Sequence, residues 1–205
     1  SGGLNEEEQI RAANTIFAEG KRMEGLSFKL LDLLMTENLE NVMKVHDIGE
    51  LAEKIYLEML PLLKEKGIDF SCKCDHIDAI CDPELLKIMI MNFIDNSSKA
   101  VAARKGSAKN DDYTPTICLM TQITTAGYMI SVRDNGCGIP EGSETKVFEP
   151  FYRVDKSRSR ALGGAGLGLS LARRIAEAHN GTIRIESHEG EGTLIEFEAT
   201  RMTGE

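Results

Sequence analysis

The run GGAGLGLSLARRIAEAHNG, Gly163 to Gly181, limits what this chain can fold into more than any other stretch. A glycine-rich segment opening into an amphipathic helix offers free backbone N–H groups and a favourable dipole to an anion. Two common phosphate loops are excluded by counting. The dinucleotide fingerprint G-x-G-x-x-G starts at Gly164 and Gly166 but puts Leu169 at its third glycine. Started from Gly166 and Gly168, it puts Leu171 there. The P-loop spacing fits Gly163 and Gly168, but Leu169 stands where the lysine must be. The glycine run belongs to some other nucleotide machine, or to none.

The 205 residues are enough for one well-buried core with a small appendage, and 41% apolar and 28% charged residues are typical of a globular chain. A net charge of −9 argues against a nucleic-acid footprint. No apolar run approaches a membrane span, and a cytoplasmic setting is expected, with a parent protein that can still be anchored in the inner membrane. Five cysteines fit reduced thiols. Cys72, Cys74, His76 and Cys81 invite a zinc reading, yet IDFSCKC alternates as a strand does and C-x-C is not the usual knuckle.

Residues 1–40 predict a long helix. Ile10, Ala13, Phe17, Met23, Leu26, Leu30 and Leu33 line one face over 5–38. Such a stripe needs a partner helix, either on this domain or in a dimerisation bundle. Residues 41–205 read as a separate domain. Asp47 caps a helix that Gly67 closes, and Asp82 with Pro83 opens another that ends before Gly106. IDFSCKC and DAIC are short strands, residues 104–113 a polar loop, and 114–125 with 127–136 a hairpin. Residues 141–163 lack periodicity, and TIRIES with TLIEFEA forms a last hairpin. The mixture predicts an α/β (α+β) two-layer sandwich, with a mixed, mostly antiparallel sheet packed on helices.

Three clusters carry chemistry. Asn92 and Asn96 are four apart on one helix face, and Lys99 continues it. An amide oxygen there can hold Mg²⁺ beside phosphate, with lysine neutralising the phosphate; core asparagines bonded to nearby backbone are the alternative. In YMISVRDNGCGIP, alternation puts Tyr128, Ile130, Val132 and Asp134 on the inward face. A buried carboxylate needs a donor, and an adenine amino group is one. Gly136 and Gly138 then let backbone approach a flat ring, although a turn aspartate capping its own backbone explains the same residues. Last, Phe148, Phe151 and Tyr152 precede Arg153, Lys156, Arg158 and Arg160. That is what a lid over a polyphosphate requires, or simply a solvated charge run.

In this order the motifs resemble the Bergerat-fold ATPases, the superfamily of gyrase, Hsp90-type chaperones, mismatch-repair ATPases and sensor histidine kinases. Asn92-x-x-x-Asn96 is similar to the N box, and Asp134-x-Gly136-x-Gly138 to the first glycine box. FEPF resembles the F box, Gly164-x-Gly166-x-Gly168 the second glycine box, and Gly192-Thr193 a third. The resemblance covers residues 43 to 200 and implies ATP and Mg²⁺ as cofactors. It implies Asn96 as the Mg²⁺ ligand, Asn92, Asn96 and Lys99 as the catalytic set, Asp134 as the adenine reader, and Arg153 as a phosphate contact. Tyr152, Lys156, Arg158, Leu167 and Thr193 join the glycines Gly136, Gly138, Gly164, Gly166 and Gly168 around the nucleotide.

Hydrolysing branches place a glutamate at the first N-box position to activate water; Asn92 is no general base. The lid and its following helix resemble those of sensor histidine kinases, and the helix over 5–38 the second helix of their dimerisation bundle. Two departures matter. None of His46, His76, His179 and His188 lies in an H-E-x-x-x-P acceptor motif, so the resemblance implies an acceptor histidine helix upstream or in trans. Ala100 also replaces the aromatic often found after the N-box lysine. The expectation is therefore an ATP-binding histidine kinase domain that does not phosphorylate itself, serves a response regulator, dimerises through its first helix and binds no nucleic acid. A non-catalytic ATP-sensing module, an anti-sigma-type serine kinase and a hydrolytic ATPase are the alternatives.

Overall fold

A computed structural model describes residues 43–105, 113–154 and 166–200. The helix expected over 5–38 lies outside the described residues, as do Gly106, Lys156, Arg158, Arg160, Gly163 and Gly164. The described residues belong to one compact unit, Val42–Glu205.

Strand β1 (Lys44–Asp47) leads into helix α1 (Ile48–Glu65), which Asp47 caps by accepting from the backbone N–H of Gly49 and Glu50. The helix ends at Lys66, and Gly67 follows at a φ of 70°. Strands β2 (Asp69–Cys74) and β3 (Asp78–Cys81) come next, then helix α2 (Pro83–Lys105). Asp82 caps α2 through the N–H groups of Glu84 and Leu85. The helix runs to Lys105, so Arg104, read from sequence as loop, stands in its last turn. After β4 (Thr116–Ile123) and β5 (Gly127–Asp134), a 3-10 turn (Lys146–Phe148) interrupts the stretch that showed no periodicity. Helix α3 (Gly168–Ala178) and strands β6 (Gly181–His188) and β7 (Gly192–Thr200) complete the fold.

The main sheet has the order β2-β4-β5-β7-β6, with β2 and β4 parallel and every other pair antiparallel. Strands β1 and β3 form a separate two-stranded ribbon. All three helices contact the sheet strands, which gives the expected two-layer sandwich. Burial follows the alternation in β5: Tyr128, Ile130, Val132 and Asp134 are all 7% exposed or less. On α2, Leu86, Met89, Ile90, Phe93, Ile94 and Val101 fill the core. The polar residues of interest lie along the borders of that buried face.

Candidate nucleotide-binding site

Helix α2 is the common base of the candidate site. Asn92, half-buried, donates its Nδ2 hydrogen to the carbonyl of Ile88 at 2.9 Å, one turn back. Its Oδ1 lies against the start of α3: a Cβ on Gly168 would come within 2.6 Å of that oxygen. Any side chain at 168 would push the Asn92 amide aside. Five residues on, Ser97 Oγ donates to Asp134 Oδ2 at 2.8 Å. Three further, Ala100 packs under the turn after β5, where a Cβ on Gly136 would meet Ala100 at 2.6 Å. The small Ala100, which departs from the family's aromatic, is matched to this approach. Contacts at 92, 97 and 100 thus bring the N box, the first glycine box and the second to one helix.

Between them stands Asn96. Its Nδ2 is buried and has no hydrogen-bond partner among the described residues. An orphaned buried amide costs about 1–3 kcal/mol. Lys99, expected to face phosphate, holds Asp95 Oδ2 at 2.6 Å, one turn back on the helix surface.

Asp134 ends β5 pointing inward, 7% exposed. The chain itself supplies donors: Ser97 to Oδ2 and the N–H of Gly136 to Oδ1, each at 2.8 Å. The chain thus meets the carboxylate's need for a donor itself, and the Gly136 bond is the backbone cap that the turn alternative expects. Burial raises its pKa above 3.8, against the lowering effects of Ser97, Gly136 and Thr193.

The turn after Asp134 is held by residues the sequence reading passed over. Arg104 Nη1 donates to the carbonyls of Asn135 (2.8 Å) and Glu191 (3.2 Å), and its guanidinium lies 4.9 Å from the Tyr113 ring centroid. Tyr113 OH donates toward the Asn135 carbonyl at 3.0 Å, and Asn135 Oδ1 accepts from the N–H of Thr116. Gly138 lies against the carbonyl of His188. Thr193 Oγ1 shares a 3.0 Å hydrogen bond with Ser187 Oγ, which also accepts from the N–H of Ile139. The sheet end, the β6–β7 turn and the turn after β5 form one rigid wall.

Across from it, Tyr152 OH donates to Ser143 Oγ at 3.1 Å. Arg153 has a buried Nη2 with no partner among the described residues, as Asn96 has its Nδ2. The N–H of Phe151 donates to the Gly166 carbonyl at 2.9 Å, so the two described ends flanking 155–165 meet. Leu167 precedes α3 and carries no capping side-chain bond, leaving the first-turn N–H groups of α3 uncapped.

Residues 81–202 match the family described as histidine kinase-, DNA gyrase B-, and HSP90-like ATPase. The chain is 40% identical over 114 residues to a sensor protein kinase WalK of Staphylococcus saprophyticus, covering 56% of this chain and 17% of that protein. It thus spans about a sixth of the length of such curated relatives. Among solved structures, the catalytic domain of histidine kinase ThkA superposes with a TM-score of 0.60 at 25% identity, covering 78% of this chain and 97% of that one. Full-length ShkA, crystallised with AMPPNP, gives a TM-score of 0.65 at 22% identity, covering 99% of this chain and 41% of that one.

Proposed function

The chain belongs to the histidine kinase-, DNA gyrase B-, and HSP90-like ATPase family, and on that premise we propose that it holds ATP for transfer of the γ-phosphate to a histidine of another segment or protein. The observation that carries this reading is Asn96. It is a half-buried amide, fixed between two helix contacts, with a buried hydrogen-bonding atom that nothing in the described chain satisfies. Its amide group fits a partner that arrives from outside, and the Oδ1 and Nδ2 ends of such an amide exchange by a simple flip.

Asn96 would hold Mg²⁺ through its carbonyl oxygen, and Mg²⁺ when bound supplies charge to the phosphate oxygens. The chain's own residues do the rest. Asp134, already oriented by Ser97 and Gly136, accepts the adenine amino hydrogen. Arg153, whose Nη2 has no partner among the described residues, and the uncapped first turn of α3 bind phosphate oxygens. Lys99 exchanges Asp95 for phosphate, an exposed pair that is easily broken. Lys156, Arg158 and Gly164 join as further phosphate contacts in this reading. Asn92 bonds to the Ile88 carbonyl and activates no water, which favours transfer over hydrolysis.

Two of the chain's four histidines are already engaged. His179 is buried with both ring nitrogens engaged, and His76 Nδ1 is bonded to Asp47. The acceptor lies on a bundle helix upstream or in trans, and the phosphoryl group passes on to a response regulator. A homodimer through the first helix and a cytoplasmic setting complete the proposal; no described helix is long and apolar enough to cross a membrane.

Incubation with [γ-³²P]ATP and Mg²⁺ tests it. The isolated chain should bind ATP and stay unlabelled, while an added acceptor-helix protein from a sensor kinase gains acid-labile phosphate. Acid-labile label on the isolated chain refutes the assignment of the acceptor, and binding without transfer to any acceptor favours the ATP-sensing module.

A further inference from the structure

The structure sorts the five cysteines by what surrounds them. Cys81 is fully buried, and burial pushes its thiol up to about 12, which keeps it protonated. Cys118 pairs with Ser71 in the β2–β4 register and so faces away from Cys72, which pairs with Leu119. Cys137 lies in the turn between Gly136 and Gly138.

Cys72 and Cys74 differ from all of these. They are two apart on β2, on the face that Phe70 turns toward Tyr56 of α1. Both are half-buried, and β2 is an edge strand of the sheet. Their Sγ atoms lie 2.7 Å apart. That is well inside the roughly 3.5–4.0 Å of ordinary nonbonded contact, and outside a bond of about 2.05 Å. Alternate residues of a strand are about 6.6 Å apart at Cα, the outer limit of what a disulfide spans. Closure draws the two residues together along the strand, and the strained bond it makes is one that thiols readily reduce.

The two thiols share a proton unequally. Cys74 is lowered, chiefly because the Cys72 S–H donates to it, with Thr121 adding to the effect. Cys72 is raised because it keeps that proton, and also by burial. Glu53 on α1 opposes ionisation of both.

We infer that Cys72 and Cys74 form a redox dithiol, a modification site whose oxidant is a low-molecular-weight disulfide. The Cys74 thiolate attacks one sulfur of the reagent; a Cys74–S bond forms, the reagent's S–S bond breaks, and one thiolate leaves. Cys72 then gives up its proton and attacks Cys74 Sγ, closing the Cys72–Cys74 bond and expelling the second thiolate. Two electrons and two protons pass from the pair to the reagent, which ends as two thiols.

The test uses the full chain with excess oxidised glutathione, followed by alkylation under denaturing conditions and intact-mass analysis. Two of the five thiols should be lost with no glutathione retained, a Cys72–Cys74 bridge should appear on peptide mapping, and dithiothreitol should restore all five. Cys72→Ser should trap glutathione on Cys74, whereas Cys74→Ser should leave Cys72 free of glutathione and open to alkylation. Five alkylated thiols, a bridge to Cys118 or Cys137, or glutathione stably held on the unmutated chain overturns the inference.

Discussion

Helix α2 carries two polar regions that differ in one respect: the first is closed by the chain and the second is open. At the amino end, the N–H of Asp82 donates to His179 Nε2 at 3.1 Å, and His179 Nδ1–H donates to the Ile175 carbonyl at 2.8 Å. Both ring nitrogens are used in one neutral tautomer, and the ring meets Phe197 edge to face with centroids 6.4 Å apart. Midway along the same helix, the Nδ2 of Asn96 is buried with no partner among the described residues. A closed network stabilises the fold, whereas an open one is a cost that a ligand can relieve. Mutations should therefore separate stability from binding.

The largest effect is expected at the closed end. His179→Ala removes a buried ring and both hydrogen bonds, and should cost about 3 kcal/mol in urea unfolding. ATP affinity measured below the melting temperature should stay within about twofold. If affinity falls with stability, the two regions are not independent.

The same histidine gives a pH signature. Burial, the leading cause, holds its pKa below 6.5 in the folded chain, while the carbonyl of Ile175 and the nearby Asp82 act the other way. The unfolded chain binds a proton below 6.5 that the folded chain refuses, so this contribution is present above 6.5 and lost as pH falls through the folded value. The slope reaches at most about 1.4 kcal/mol per pH unit. Exposed His76, raised by its bond to Asp47, has the opposite sign, so the check is the difference between the unmutated chain and His179→Ala. A difference that does not shrink below pH 6.5 contradicts the assignment.

At the open end, Asn96→Ala should lower affinity for ATP with Mg²⁺ by at least tenfold, roughly 1.4 kcal/mol. Unfolding should be unchanged or slightly harder, since an unpaired buried group is removed. Calorimetric titration and thermal melts on the same sample decide it. The smallest effect belongs to Ser97→Ala, which lies beside Asn96 but donates to Asp134. It should cost about 1 kcal/mol in stability and weaken ATP several-fold, reporting on both regions at once.

Much of the fold was legible because its signals are local. Asp47 and Asp82 cap the helices expected of them, and alternation in β5 correctly turned Asp134 inward. The candidate site was only partly legible. Asn92, Asn96 and Lys99 were read as one face, but nothing nearby in sequence says that Lys99 prefers Asp95 or that Asn92 bonds to Ile88. Ser97, Arg104 and Tyr113 were missed. Their partners lie 37, 31 and 22 residues away, and a serine on an apolar helix face was the one available hint.

Sequence by itself determined the periodicities, the caps and the order of the motifs, because each depends on residues within a turn or two of one another. It also excluded the P-loop and dinucleotide classes by spacing alone. Only the tertiary structure decided that β1 and β3 leave the main sheet as a ribbon, and that β2 joins β4 in parallel. It alone decided that a side chain in place of Gly136 or Gly168 would press on Ala100 or Asn92. Close packing has no local code: which atoms meet across a core depends on how whole elements settle against each other, and the same packing leaves Asn96 open.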